Sequence, residues 1–383
     1  MFETSSIALS LTAMKNNFRF LKRLMGKDVK ISSVVKGNAY GHGIAPFVTM
    51  ASACGIDHFS VFSADEAKEV FDTLKDSVTI MIMGSVDHHA LEWAIDHEVE
   101  FFVFEKKRLQ DAIRLSKKLK KNAKIHIELE TGMNRTGFTE EELPEIIQLL
   151  KKGKSHIQLI GLCTHFAGAE NISNYQRIKS QIERFSQLKD LFLQENIQPS
   201  QLHTACSAAS MMFPETRMDM VRIGIMQYGL WPSPETFMHY LTNQKSKKDP
   251  LKRVISWQSK VMSLKQVEGG EYIGYGTGFI AHDQMKVAVI PVGYAQGFSR
   301  SLSNHGRVLI HKKSCPVVGT VNMNMMVVDV SELPEVKKGD EVVMIGTQED
   351  QQVTVASFSE FSNQLNYELL TRLPVRIPRK IIK

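Results

Sequence analysis

The chain has little cysteine: four in 383 residues, Cys54, Cys163, Cys206 and Cys315. They lie too far apart for a CxxC pair or a metal-ligand spacing, which argues against a disulfide scaffold or a zinc site and fits a reducing cytoplasm. A surplus of one charge is also missing, with 47 Lys+Arg against 41 Asp+Glu and a net charge of +6. The Lys-rich runs at 117–121 and 245–248 read as solvated surface, so no nucleic-acid partner is expected. No stretch is apolar for long enough to span a bilayer, and the opening MFETSSIALSLTAMKNNF has no basic segment followed by an apolar run, so a cytoplasmic, membrane-free protein is expected. There is no phosphate-binding P-loop, internal repeat or low-complexity tract.

What is present is a change of texture along the chain. Over the first 230 residues, short β-rich runs alternate with segments of helical period. Eight candidate strands stand out: 29–36, 57–63, 78–84, 99–105, 124–130, 157–165, 201–207 and 221–229. Helical stretches at 64–75, 105–121 and 174–195 lie between them, and an amphipathic helix carrying Leu11, Met14, Phe18, Leu21 and Met25 on one stripe precedes the first strand and stops at Gly26. Eight strands with interleaved helices predict an α/β fold, a TIM (β/α)8 barrel over 1–240. After Pro232 and Pro234 come short strands punctuated by Gly, Asn and Asp, which predict a β-rich domain over 241–383, with the first few residues of the chain able to join it. The Lys-rich segment 243–253 reads as an exposed link.

Barrel enzymes place their chemistry at the carboxyl ends of the strands. Lys36 ends the first candidate strand, Arg135 follows the fifth, His165 ends the sixth, Ser207 ends the seventh, and Arg222 to Ile225 lie on the eighth. Taken alone, a lysine at a strand end is a solvated edge residue. Lys36, however, sits in VVKGNAYGHG, between an apolar strand and a Gly-rich turn that lets backbone approach a ligand. Desolvation there would lower its pKa and favour the neutral amine that forms imines.

The segment SVVKGNAYGHG resembles the pyridoxal-phosphate (PLP) lysine signature of the alanine racemase family. Segments 130–138 (ETGMNRTGF), 161–170, 203–210, 221–230, 274–279 (GYGTGF), 291–298 and 376–379 (RIPR) are similar to further family segments, in the same order. The resemblance implies PLP held by Lys36 and an amino-acid racemase with two opposed bases, Lys36 and Tyr275, the latter from the β-rich domain. A free tyrosine titrates near ~10, so it needs a cation or donor network, for which the family residues fall on His165 and Arg222. Arg222 is further implied to donate to the pyridine nitrogen, which keeps PLP a weaker electron sink. Implied cofactor contacts are Tyr40, His203, Ser207, and the backbone of Gly224 and Ile225. Arg135, the backbone of Met323 and the entrance residue Tyr294 are implied to meet the substrate. In isolation, His165 reads as a satisfied strand-end histidine, Ser207 as a helix N-cap and Met323 as core filling. A homodimer with sites shared between subunits, and a D-alanine product feeding peptidoglycan, follow from the same resemblance.

Several positions depart from the family pattern. Glu128 replaces a lysine that becomes carbamylated, and is expected to pair with Arg135 unmodified. Cys206 replaces an asparagine, Asn322 and Asn324 replace Cys and Asp, Gln296 replaces an Asp, and Val375 replaces a tyrosine, which together point to a pocket open to serine or larger side chains beside alanine. Two other readings remain. A PLP decarboxylase would carry a Gly-rich phosphate loop and an EPGR segment, and neither is found. A barrel-only PLP carrier would lack the β-rich domain and bind PLP without racemising alanine.

Overall fold

The computed structural model describes residues 3–242, 244–355 and 366–383. The described residues divide into two compact units, one of residues 13–36 and 48–252, the other drawn from 1–12, 37–47 and 253–383. Two strands head the chain: β1 (Ser5–Ser10), in the second unit, and β2 (Lys30–Val34), in the first.

In the first unit, β2 is followed by β3 (His58–Ser63), β4 (Thr79–Ser85), β5 (Glu100–Val103), β6 (Ala123–Glu128), β7 (Ile157–Cys163), β8 (Gln201–His203) and β9 (Met220–Ile223). They form one parallel sheet in the order β8-β7-β6-β5-β4-β3-β2-β9. A parallel bridge between Cys206 and Arg222, with Asp219 N–H donating to the Leu202 carbonyl at 3.1 Å, joins the two ends. The result is the (β/α)8-type barrel. Helices Ala64–Leu74, Lys106–Leu119 and Tyr175–Gln194 run between the strands. The leading helix Leu11–Met25 buries Met14, Phe18, Leu21 and Met25 and stops at Gly26, whose φ of 95° suits the left-handed stop.

Side chains alternate along a strand, so every second residue enters the barrel. One layer is apolar, with Met81, Phe102, Cys163 and Met220 in contact. Another is polar: Ser32, Ser60, His58, Glu100, His126 and His203 are all buried. His58 on β3 bonds Glu100 on β5, two strands away, so these groups cross the interior rather than lie along one edge.

The second unit is β-rich. Strands β10 (Ile255–Lys260), β13 (Arg307–Ile310), β14 (Lys313–Pro316), β16 (Glu341–Gln348) and β18 (Arg379–Ile382) join β1 in the order β14-β13-β16-β10-β1-β18, and β17 (Gln351–Val353) pairs with β16 off that path. There β1 is antiparallel to β10 and parallel to β18. A three-stranded sheet of β11 (Ser263–Val267), β12 (Met285–Ile290) and β15 (Met326–Asp329) packs Val267, Ile273, Ala281, Val287 and Val318 into its own small core. Among the described residues no helix is long and apolar enough to cross a membrane.

Candidate active site

The strand that delivers Lys36 is held from behind. Gln227 Nε2 and Tyr228 Oη both donate to the Val34 carbonyl, at 2.8 and 2.9 Å, and Gln227 Oε1 accepts from Ser33 Oγ at 2.7 Å. Gln227 and Tyr228 are fully buried, so these bonds fix the end of β2. Sequence reasoning missed both, because an uncharged pair in MQYG carries no chemical signature. Lys36 itself is open to solvent along one side, yet burial around its amine lowers its pKa, the Arg135 and Arg222 charges lower it further, and Glu66 and Cys206 oppose in part. That is the direction a nucleophilic amine needs.

Immediately after Lys36 the backbone makes a left-handed turn, with φ of 63°, 54° and 52° at Gly37, Asn38 and Ala39 and 50° at Tyr40. The left-handed region costs about 1–2 kcal/mol for each residue that carries a Cβ. The turn is held by Gly41 N–H to the Gly37 carbonyl at 3.0 Å, Gly43 N–H to the Asn38 carbonyl at 2.9 Å, and Arg379, whose Nη2 donates to the Gly41 carbonyl at 2.9 Å.

Arg222 is the most committed side chain of the barrel mouth. Its Nη1 donates to His203 Nδ1 and to the His203 carbonyl, and its Nη2 to the carbonyls of Thr164 at 2.7 Å and Thr204 at 3.1 Å. Those four bonds use four of the five guanidinium donors and leave Nε–H to offer to a ligand. His165 is half-buried, and its pKa is pushed down to about 3, by burial first and then by Arg222, Arg135 and Lys36. It is therefore a neutral imidazole near two guanidinium cations, and the charge expected to help a tyrosine ionise resides on Arg222 rather than on His165.

Arg135 lies exposed on the loop after β6. The loop is nested on Glu130, whose carboxylate accepts from the backbone N–H groups of Gly132, Met133 and Asn134. Gln181, fully buried, ties this loop to the next by donating to Thr131 Oγ1 and the His165 carbonyl. The expected ion pair of Glu128 with Arg135 does not form; Arg135 reaches the Glu128 carboxyl only through its field, beside a larger influence from Thr136. Burial raises the Glu128 carboxyl pKa, against the influence of Thr136 and the fields of Arg222 and Arg135. The physical reason is position, since Glu128 ends a buried strand while Arg135 projects from an exposed loop.

Two helix starts meet at the other end of the mouth. Ser207 opens helix Ser207–Met212 with Cys206 as its extended N-cap, and Gly224 precedes the 3-10 turn Ile225–Tyr228. Gly224 N–H donates to Ser207 Oγ at 3.0 Å, which brings a hydroxyl and the N–H groups of two helix starts together, a ready anion cradle.

The remaining expected residues belong to the second unit. Tyr275 lies between Gly274 and Gly276, whose φ of 82° and 69° turn the chain so that the ring stands 73% exposed. Tyr294 N–H donates to the Asn322 carbonyl at 3.0 Å and Ala295 N–H to the Met323 carbonyl at 2.9 Å, so the Tyr294 and Met323 segments are laced together. A Cβ on Gly293 would sit 2.1 Å from the Asn322 carbonyl oxygen, which explains the glycine at that contact. Gln296 Oε1 accepts from Gly293 N–H at 3.0 Å and closes the same turn. Met323, Asn324 and Val375 are exposed.

Residues 9–232 match the family model for the alanine racemase N-terminal domain, and 254–381 the model for its C-terminal domain. The chain is similar to the alanine racemase of Halothermothrix orenii, 34% identical over 97% of this chain and 95% of that protein. It is similar to that of Leptospira interrogans, 31% identical over 99% and 96%. Among solved structures, it superposes on the alanine racemase of Bacillus anthracis with bound L-Ala-P at a TM-score of 0.90, 31% identity, 100% of this chain and 96% of that one. The alanine racemase of Bartonella henselae with covalently bound pyridoxal phosphate matches at 0.85, 25% identity and 99% of each chain.

Proposed function

We propose how the work is shared within a chain that belongs to the alanine racemase family: Lys36 and Tyr275 are the two bases that exchange the Cα proton of alanine from opposite faces. The activity is PLP-dependent alanine racemisation. When bound, PLP supplies the electron sink that acidifies the Cα–H bond.

The residues fit that group. Lys36 Nζ, with its lowered pKa, binds it and then holds or returns a proton on one face. Arg222 Nε–H, the donor its other bonds leave over, would serve the pyridine nitrogen, and a guanidinium does not give that proton up. Ser207 Oγ, held in place by the Gly224 N–H, would receive the phosphate together with the Ile225 N–H and the Tyr40 hydroxyl. His203 positions Arg222. Arg135 and the Met323 N–H receive the substrate carboxylate, and Tyr294 flanks the entrance. Tyr275 Oη moves the proton on the second face, in the field of the Arg222 cation and with neutral His165 as a hydrogen-bonding partner. The observation that carries this reading is the lowered Lys36 amine beside an Arg222 whose donors are almost all committed. The matched C-terminal domain, which supplies Tyr275, separates the chain from a barrel-only PLP carrier.

Tyr275, Met323 and Val375 all stand exposed on the single chain, which supports a homodimer in which each copy completes the other's site. D-alanine made there would serve peptidoglycan synthesis. Co-expressed Lys36→Ala and Tyr275→Phe chains then recover activity, because a mixed dimer holds one intact site. About a quarter of wild-type turnover is expected from random mixing; mass spectrometry proves the mixing, and no recovery in a proven mixed dimer overturns the shared site.

A further inference from the structure

The polar layer of the barrel is a single directional chain of hydrogen bonds, and its direction is forced. Arg222 can only donate, so His203 Nδ1 must accept and its proton must sit on Nε2. His203 Nε2–H then donates to His126 Nδ1 at 2.8 Å, which puts the His126 proton on its Nε2. His126 Nε2–H donates to Glu100 Oε2 at 2.8 Å, where the chain ends on a group that, ionised, only accepts. From the other side His58 Nε2–H donates to the same oxygen at 3.3 Å, while its Nδ1 accepts from Ser32 Oγ at 2.8 Å. Ser32 in turn contacts Ser60 Oγ.

All of these side chains are buried, with Glu100 at 7% the most exposed among the relay groups and the three imidazoles at 0%. Phe102 packs against His126, His203 and Arg222, with ring centroids 5.9 and 5.8 Å from the two imidazoles, and keeps the relay dry. A carboxylate in such surroundings is costly unless it is hydrogen-bonded and balanced by a cation. Burial pushes the Glu100 carboxyl up, but the hydrogen bonds from His126 and His58 outweigh it and hold the group far below the usual carboxylate range. Burial, with the Arg222 and His126 fields, drives the His203 pKa well down, and burial lowers that of His58, so both imidazoles stay neutral. The cation that answers Glu100 along the relay is Arg222.

We propose that Glu100 is a positioning residue: through His126 and His203 it supplies the buried negative charge that balances the Arg222 cation and holds its Nη donors turned inward, which leaves Nε–H for the cofactor. The inference rests on the reading that Arg222 faces the cofactor nitrogen. It makes the strength of that one donor depend on a carboxylate two imidazoles away.

Two measurements on the holoenzyme test it. In 15N NMR of the histidine rings, assigned with single His→Gln variants, His58, His126 and His203 are expected as neutral Nε2–H tautomers; an Nδ1–H tautomer or an imidazolium at His126 or His203 overturns the relay. Glu100→Gln keeps an oxygen acceptor and removes the charge. With PLP content unchanged, kcat for alanine is expected to fall by about tenfold with KM little changed, and the visible absorption band of the bound cofactor to shift. An unchanged kcat together with an unchanged band overturns the charge role. If Glu100→Gln fails to fold, the tautomers of the wild-type protein still decide. Correct tautomers in a wild-type protein that does not racemise alanine would leave the relay standing and remove the functional reading instead.

Discussion

Lys36→Ala lowers alanine racemisation by about 10⁴-fold or more, since it removes both the covalent attachment point and one of the two bases. The loss is chemical rather than structural. Lys36 lies just beyond the buried β2, and the grip of Gln227 and Tyr228 on the Val34 carbonyl does not involve its side chain. The variant should therefore keep its circular dichroism and regain part of its rate with an added small amine. Borohydride reduction of the wild-type holoenzyme followed by peptide mass spectrometry should fix the pyridoxyl group on the peptide bearing Lys36. A variant that retains substantial turnover, or an adduct on another lysine, removes Lys36 from its role.

Gly41→Ala is expected to produce the largest loss of stability. A Cβ at Gly41 would stand 1.8 Å from the Leu370 carbonyl oxygen, a backbone atom that cannot swing aside, and its φ of 79° is unfavourable for alanine. The residue also closes a turn that already holds Asn38, Ala39 and Tyr40 left-handed, and its carbonyl accepts from Arg379. Relief requires moving the helix Asn366–Thr371 or unwinding the turn, so a cost of about 4 kcal/mol or more follows. Soluble yield and thermal unfolding of Gly41→Ala beside Gly339→Ala provide the comparison, because Gly339 has a φ of 94° but nothing within 4 Å of its would-be Cβ. Equal stability of the two variants would show that the close approach at Leu370 is unimportant.

The barrel was legible in the sequence because its strands are buried, apolar runs bounded by turns, and each expected run overlaps an observed strand. Two runs overshoot their strands furthest. The stretch 221–229 leaves the sheet at Gly224, whose φ of −99° and ψ of −104° precede a 3-10 turn, and 201–207 ends at His203 before Cys206 caps a helix. The strand Ser5–Ser10 was invisible as a strand, since its partners are Ile255–Lys260 and Arg379–Ile382, far along the chain, and a six-residue alternation without a local hairpin carries little signal. Site residues at strand ends could be named from motif and position. Their supports could not: Glu100, His58 and His126 each look like a stray polar residue in an apolar strand, and only the pairing of strands across the barrel reveals them as one chain of bonds. Glu128 shows the converse, a carboxylate expected to pair with Arg135 because it stands in place of a carbamylated lysine, a partner that the strand-to-loop geometry denies it.

The opposed-base assignment meets its most direct test in Tyr275→Phe, which removes only the hydroxyl from an exposed ring on a glycine-flanked turn. In deuterated solvent, with PLP bound, Lys36 should still exchange the Cα hydrogen of one alanine enantiomer, while exchange of the other enantiomer and racemisation both fall by about 10²–10⁴-fold. Equal slowing of exchange from both enantiomers, or racemisation at the wild-type rate, would contradict a site in which Lys36 and Tyr275 serve opposite faces.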